Sequence, residues 1–124
     1  MDLQGKNRQS FLAACRNAFV GIQYAIKSER NLQIHGAITL GVLLFGFVWH
    51  ITLLEWSILV ICIGLVVGLE LMNTAIEAVV DLSVGTQYHL LAKIAKDVAA
   101  GAVIVATICA VIVGALIFIP YILK

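Results

Sequence analysis

Three stretches of the chain, 32–50, 53–81 and 97–119, are almost continuously apolar. Each is long enough to cross a hydrocarbon core of about 30 Å, which takes roughly 20 helical residues. The second exceeds that length by about two turns, so it must tilt or project beyond the lipid at its polar end. Ahead of them, residues 10–28 follow a different rule. Phe11, Cys15, Phe19, Ile22 and Ile26 recur at steps of three and four, with Arg16, Asn17, Gln23 and Lys27 elsewhere on the wheel. This pattern predicts an amphipathic helix on a membrane surface, although packing against the rest of the chain would use the same pattern. The single proline, Pro120, falls where the last apolar stretch ends and predicts a helix stop. Gly64 and Gly68 form a G-x-x-x-G pair, and Ala99, Ala102, Ala106 and Ala110 form a small-residue stripe, both suited to close helix contact in lipid. The expected fold is therefore an all-α integral membrane domain over 1–124, with one surface helix and three transmembrane helices. Three helices enclose little volume, so a homo-oligomer with clefts between protomers is expected.

Composition excludes a soluble alternative: 62% of the 124 residues are hydrophobic, 12% are charged, and the mean hydropathy is +1.06. The opening MDLQGKNRQS has no apolar core, so no cleaved signal peptide is expected. Cys15, Cys62 and Cys109 are scattered without metal-ligand or disulfide spacing, and are read as reduced packing residues. A net charge of +1 points to no nucleic-acid partner, and the placement of the charges says more. Lys6, Arg8, Arg16, Lys27 and Arg30 precede the first span, and Lys93 and Lys96 lie between the second and third. By the positive-inside rule the N-terminus and the 82–97 connection are cytoplasmic in a multi-pass cell-membrane protein.

The second span ends on ELMNTAIEAVVD, residues 70–81, which brings carboxylates, a carboxamide and a hydroxyl into an apolar run. At 100° per residue, Glu70, Asn73, Thr74, Glu77 and Asp81 fall at about 0°, −60°, +40°, −20° and +20°, all within an arc of about 100°. The face is organised, and it extends about 16 Å along the helix axis. Ionisable groups inside a span cost several kcal/mol unless paired or hydrated, and they commonly line a functional path. One end of such a face can meet a water-soluble ligand and the other a lipid head group.

Two chemistries suit it. The carboxylates can hold a divalent cation and a phosphorylated substrate, because hard cations such as Mg²⁺ are shared between carboxylates and phosphates. Alternatively, they can form a proton or cation path. A path needs polar residues through its full length, whereas the outer halves, 57–68 and 108–119, carry none beyond Ser57. An interfacial enzyme is favoured over a conduit. Plainer readings exist for individual residues: Asp81 as a solvated helix-end charge, Asn73 and Thr74 as interhelical hydrogen-bonding groups, Tyr88 and His89 as loop residues, and His35 as a helix–helix partner. Trp49 and Trp56 flank the outer loop as interface anchors with no chemistry assigned.

The run from Glu70 to Asp81, followed by Tyr88-His89 and by Ala95-Lys96-Asp97, resembles the prokaryotic diacylglycerol kinase and undecaprenol kinase family over nearly the whole chain. The resemblance implies a small trimeric membrane kinase with active sites shared between protomers and using ATP with Mg²⁺. By that similarity Glu70 is the general base toward the lipid alcohol, and Glu29 and Glu77 hold the metal that bridges ATP phosphates. Lys96 and Asp97 contact the nucleotide, with Asn17, Asp81, Tyr88 and His89 in the same site, while Asn73 and Thr74 place the lipid. Neither a G-x-x-x-x-G-K-[ST] loop nor an H-R-D motif occurs, so nothing links the chain to P-loop or protein kinases. Asn17 stands where the diacylglycerol kinase branch has an aromatic, and His35 where it has an acid. Glu29-Arg30-Asn31 followed by Ile34-His35 looks instead like the Gram-positive undecaprenol kinases, which favours undecaprenol over diacylglycerol as acceptor. Two other classes remain: a proton-coupled subunit predicts proton flux across vesicles with no ATP consumption, and a structural membrane adaptor predicts that Glu70 and Glu77 tolerate glutamine.

Overall fold

The computed structural model describes residues 10–124 as four helices: α1 (Phe11–Ser28), α2 (Arg30–Val48), α3 (Leu53–Val84) and α4 (Leu90–Ile122). Residues 1–9, which include Lys6 and Arg8, lie outside the described residues. α1 starts where Ser10 accepts a hydrogen bond from the Ala13 N–H at 3.2 Å, and Lys27 in its last turn complements the helix dipole. A single extended residue, Glu29, separates α1 from α2. Its N–H still donates to Ala25 O, and Gln33 of α2 reaches back with its carboxamide to the Ile26 carbonyl at 2.9 Å. Those contacts satisfy carbonyls that the end of α1 would otherwise leave without partners, and they fix the bend at Glu29.

α2, α3 and α4 are long and apolar enough to cross a membrane, with mean hydropathies of 1.5, 2.2 and 3.0. The turn between α2 and α3 is tight. His50 adopts a positive φ of 49°, and Thr52 and Glu55 form a reciprocal capping box that starts α3. α3 and α4 are the most extensively packed pair and run antiparallel. Tyr121 near the end of α4 donates to Glu55 at the start of α3 at 2.8 Å, while Lys96 near the start of α4 bonds Asp81 near the end of α3. The core lies towards the end that holds the α2–α3 turn, where Ile51, Leu59 and Ile117 are buried among Trp49, Trp56 and Phe118.

Several expectations are corrected here. α4 begins at Leu90 rather than at 97, because His89 caps it: its Nδ1 accepts from the Leu91 N–H at 3.1 Å. Lys93, Lys96 and Asp97 therefore occupy the first turns of a helix instead of a connection. Pro120 does not stop that helix, which continues to Ile122. Proline removes one donor, but the Leu123 N–H still reaches Ile119 O at 3.0 Å, so the last turn closes. Finally, a Cβ at Gly64 or Gly68 would have nothing within 4 Å, so the G-x-x-x-G face approaches no other helix among the described residues. The close approach falls at Gly46, where a Cβ would stand 2.6 Å from Trp56 Cη2. On α4, Ala99 and Ala106 of the alanine stripe are buried, and Ala102 is exposed.

Candidate active site

The polar face of α3 is graded by depth. Glu70, at 3% exposure, and Asn73 are the buried polar residues of the described chain, Thr74 and Glu77 are half-buried, and Asp81 is exposed. The Thr74 hydroxyl donates to the Glu70 carbonyl at 3.1 Å, one turn back on its own helix, so its hydrogen-bonding capacity serves the backbone. Asn73 donates through Nδ2 to Glu77 Oε1 at 3.3 Å, while its buried Oδ1 has no partner among the described residues.

Across from this face, His35 on α2 places Nε2 3.2 Å from Glu70 Oε1. The His35–Glu70 contact is the cross-helix pairing that the sequence offered only as the plainer reading of His35. Glu29 lies at the α1–α2 bend, and Glu77 lies two turns along α3 from Glu70. The Glu70 carboxylate and the His35 imidazole thus form a cross-helix pair between α2 and α3.

Two cavities meet at His35, and a third lies apart from them. One of about 340 Å³ is lined by Asn31, His35, Glu70, Asn73 and Thr107, with apolar α4 residues closing its other side. Adjoining it, and sharing His35 and Thr107, is a largely apolar cavity of about 300 Å³ between α2, α3 and α4, with Leu59, Val66 and Phe118 in its wall. The third, about 350 Å³, lies at the α3–α4 turn and is lined by Gln87, Tyr88, His89, Lys93 and Lys96. Gly85, at φ 59°, allows the turn that shapes it. Lys93 and Lys96 reach this cavity beside the N-terminus of α4, each paired with an aspartate.

The remaining sequence candidates are placed less favourably. Asp97 pairs with Lys93 one turn away, and Lys96 is bonded to Asp81; both pairs are at the surface, where such bridges contribute little to stability. Asn17 is exposed on α1 and lines none of these three cavities. Sequence reasoning did not include Asn31, Gln87, Lys93 or Thr107 among the site residues; Lys93 was visible as a cation beside Lys96, the others only through their positions in space.

Oxygen donors at Glu29 and Glu77 and the unpaired Asn73 Oδ1 suit a hard cation. No group of three or more His, Cys, Asp or Glu able to hold a metal exists among the described residues. Mg²⁺ asks for less than such a cage, taking one or two carboxylates, its waters and the phosphates of a substrate.

The helices thus set a buried carboxylate beside an apolar cavity, with a polar pocket that includes two lysines at the α3–α4 turn. The sequence profile of the family described as prokaryotic diacylglycerol kinase matches residues 16–118, and the chain belongs to that family of lipid kinases. It is 46% identical to the undecaprenol kinase of Bacillus subtilis over 112 residues, 90% of this chain and 87% of that protein. It is 45% identical to a diacylglycerol kinase of Synechocystis over 115 residues, 93% of this chain, and spans 66% of that protein's length. With the diacylglycerol kinase of Escherichia coli K12 it shares 32% identity over 82% of each chain.

Proposed function

We propose that the protein is an ATP- and Mg²⁺-dependent kinase that phosphorylates undecaprenol to undecaprenyl phosphate at the cytoplasmic face of the cell membrane. The observation that carries this reading is Glu70: a carboxylate 3% exposed within a membrane-spanning helix, opening on a cavity continuous with an apolar one. A lipid alcohol can present its hydroxyl to Glu70 while its tail remains in apolar surroundings. Glu70 takes the proton from that hydroxyl as the alkoxide oxygen bonds the γ-phosphorus. The bond from phosphorus to the β-bridging oxygen breaks, and ADP leaves. General-base assistance of this kind contributes about 10²–10⁴-fold.

Glu29 and Glu77 would hold Mg²⁺, which when bound supplies charge neutralisation for the phosphates, the main demand of phosphoryl transfer. Asn73 steadies Glu77 and lines the Glu70 cavity that would receive the lipid hydroxyl, with Thr74 supporting the same turn of helix. Tyr88, His89 and Lys96 receive the nucleotide at the α3–α4 turn, with Asp81 orienting the Lys96 ammonium and Asp97 and Asn17 at the periphery.

Arg16, Lys27, Arg30, Lys93 and Lys96 all belong to the α1 end, which supports its placement in the cytoplasm. On α1, Phe11, Phe19, Ile22 and Ile26 are exposed, so the chain's own helices do not cover the apolar side, and this supports a seat on the bilayer surface. The open Gly64–Gly68 face supports assembly, which we take to be a homotrimer with sites shared between protomers, in one domain over 1–124.

Undecaprenol is preferred because the Bacillus subtilis undecaprenol kinase matches at 46% identity across 87% of its length. Diacylglycerol, giving phosphatidic acid, is the second reading, supported by the name of the Synechocystis relative. The deciding experiment is phosphate transfer from labelled ATP with Mg²⁺ to each lipid side by side in mixed micelles, with Glu70→Gln as the blank. A clear excess of Glu70-dependent product from undecaprenol is expected. An excess from diacylglycerol moves the protein to the second reading, and no transfer to either lipid refutes both.

A further inference from the structure

His35 performs no step in the reaction outlined above, yet the structure gives it a singular place. It lies on the first membrane-spanning helix, and its Nε2 is 3.2 Å from Glu70 Oε1. Among the described residues it supplies the one basic side chain within ion-pair distance of that carboxylate. The same ring lines both the Glu70 cavity and the adjoining apolar one, so it stands at the point where a lipid hydroxyl must pass from one to the other.

We propose that His35 is the positioning residue of the general base: its ring holds Glu70 Oε1 from the α2 side, directing the other carboxylate oxygen to the lipid hydroxyl.

The argument rests on geometry. A glutamate side chain has three rotatable bonds, so a carboxylate with no fixed contact has several directions open to it. Without an opposing contact, no side chain among the described residues would direct the Glu70 carboxylate into its cavity. A contact across helices supplies that direction, and α2 is the element placed to make it. Proton abstraction is sensitive to such placement, since a displacement of about 1 Å of a reacting group costs about 100-fold in rate. The inference rests on Glu70 being the base, as read above.

The test uses the intact protein in mixed micelles with Mg²⁺-ATP and a lipid acceptor, and compares His35→Leu, His35→Gln and Glu70→Gln. His35→Leu is expected to lower kcat about 100-fold, with KM for ATP and for lipid within about twofold of the parent. His35→Gln, which retains a donor of similar reach, is expected to recover at least about tenfold of that loss. A purely structural role would not produce this split and rescue. His35→Leu with kcat within about twofold of the parent, a loss confined to KM, or His35→Gln no better than leucine would each overturn the inference. Where His35→Leu fails to give a monodisperse particle, His35→Gln decides alone: kcat between about 3- and 10-fold below the parent with KM unchanged supports the inference, and any other result overturns it. Failure of the underlying reading is separately visible, because Glu70→Gln would then retain full activity; that outcome removes the base and the role of His35 with it.

Discussion

Replacing Asn73 by leucine separates what the polar face does for stability from what it does for chemistry. Asn73 makes one hydrogen bond to a charged partner, Nδ2 to Glu77 Oε1 at 3.3 Å, and leaves Oδ1 buried without a partner. A hydrogen bond to a charged group contributes about 1.5–3 kcal/mol, and at 3.3 Å the lower figure applies. The unpartnered acceptor costs about 1–3 kcal/mol. Leucine removes both, so the two changes nearly cancel, and thermal unfolding in detergent should shift by no more than about 5 °C. Activity should not be spared. Glu77 loses the contact that orients it, and loss of such a supporting contact typically costs 10–100-fold in metal affinity, about 1.4–2.8 kcal/mol. The assay is a Mg²⁺ titration of phosphate transfer at saturating lipid and ATP, alongside a melting curve. A half-activating Mg²⁺ concentration at least tenfold higher, with nearly unchanged melting, is expected. An unchanged Mg²⁺ requirement, or a fall in melting temperature well beyond 5 °C, would refute the reasoning.

Two further outcomes follow from other parts of the molecule. Gly46→Ala places a Cβ 2.6 Å from Trp56 Cη2, and that indole also packs against Phe47 with ring centroids 5.0 Å apart; overpacking should cost about 1–3 kcal/mol, read as a lower melting temperature. Lys96→Met should raise KM for ATP about tenfold while leaving kcat within about threefold, and the parent's KM for ATP should itself rise with salt as the Lys93–Lys96 pocket is screened.

The helices and the polar face were legible because hydropathy and the 100° repeat act along the chain. Along that face Glu70 and Asn73 are buried while Asp81 is exposed. What escaped was set by contacts across the fold. The pairing of His35 with Glu70 joins residues on different helices, and the bond from Tyr121 to Glu55 spans 66 positions, so neither leaves a local pattern. The start of α4 was misplaced because charges at Lys93, Lys96 and Asp97 read as a connection, although a capped helix can carry charges where it projects from lipid. Gly64 and Gly68 have the spacing of a helix contact but meet nothing within the chain, because spacing identifies a face able to approach another helix without naming the partner. Gln33, capping α1 from α2 and thereby fixing Glu29, was visible only as a polar residue inside an apolar stretch.

The central claim is that Glu70 is the base of a lipid kinase, and the most direct measurement pairs two readings on Glu70→Gln: phosphate transfer from ATP to the lipid alcohol, and binding of ATP in the presence of Mg²⁺. The substitution keeps the shape of the side chain while removing its ability to take a proton. The account predicts transfer reduced by about 10²–10⁴-fold with ATP affinity unchanged. Transfer within about twofold of the parent would contradict it, as would a loss of ATP binding equal to the loss of rate.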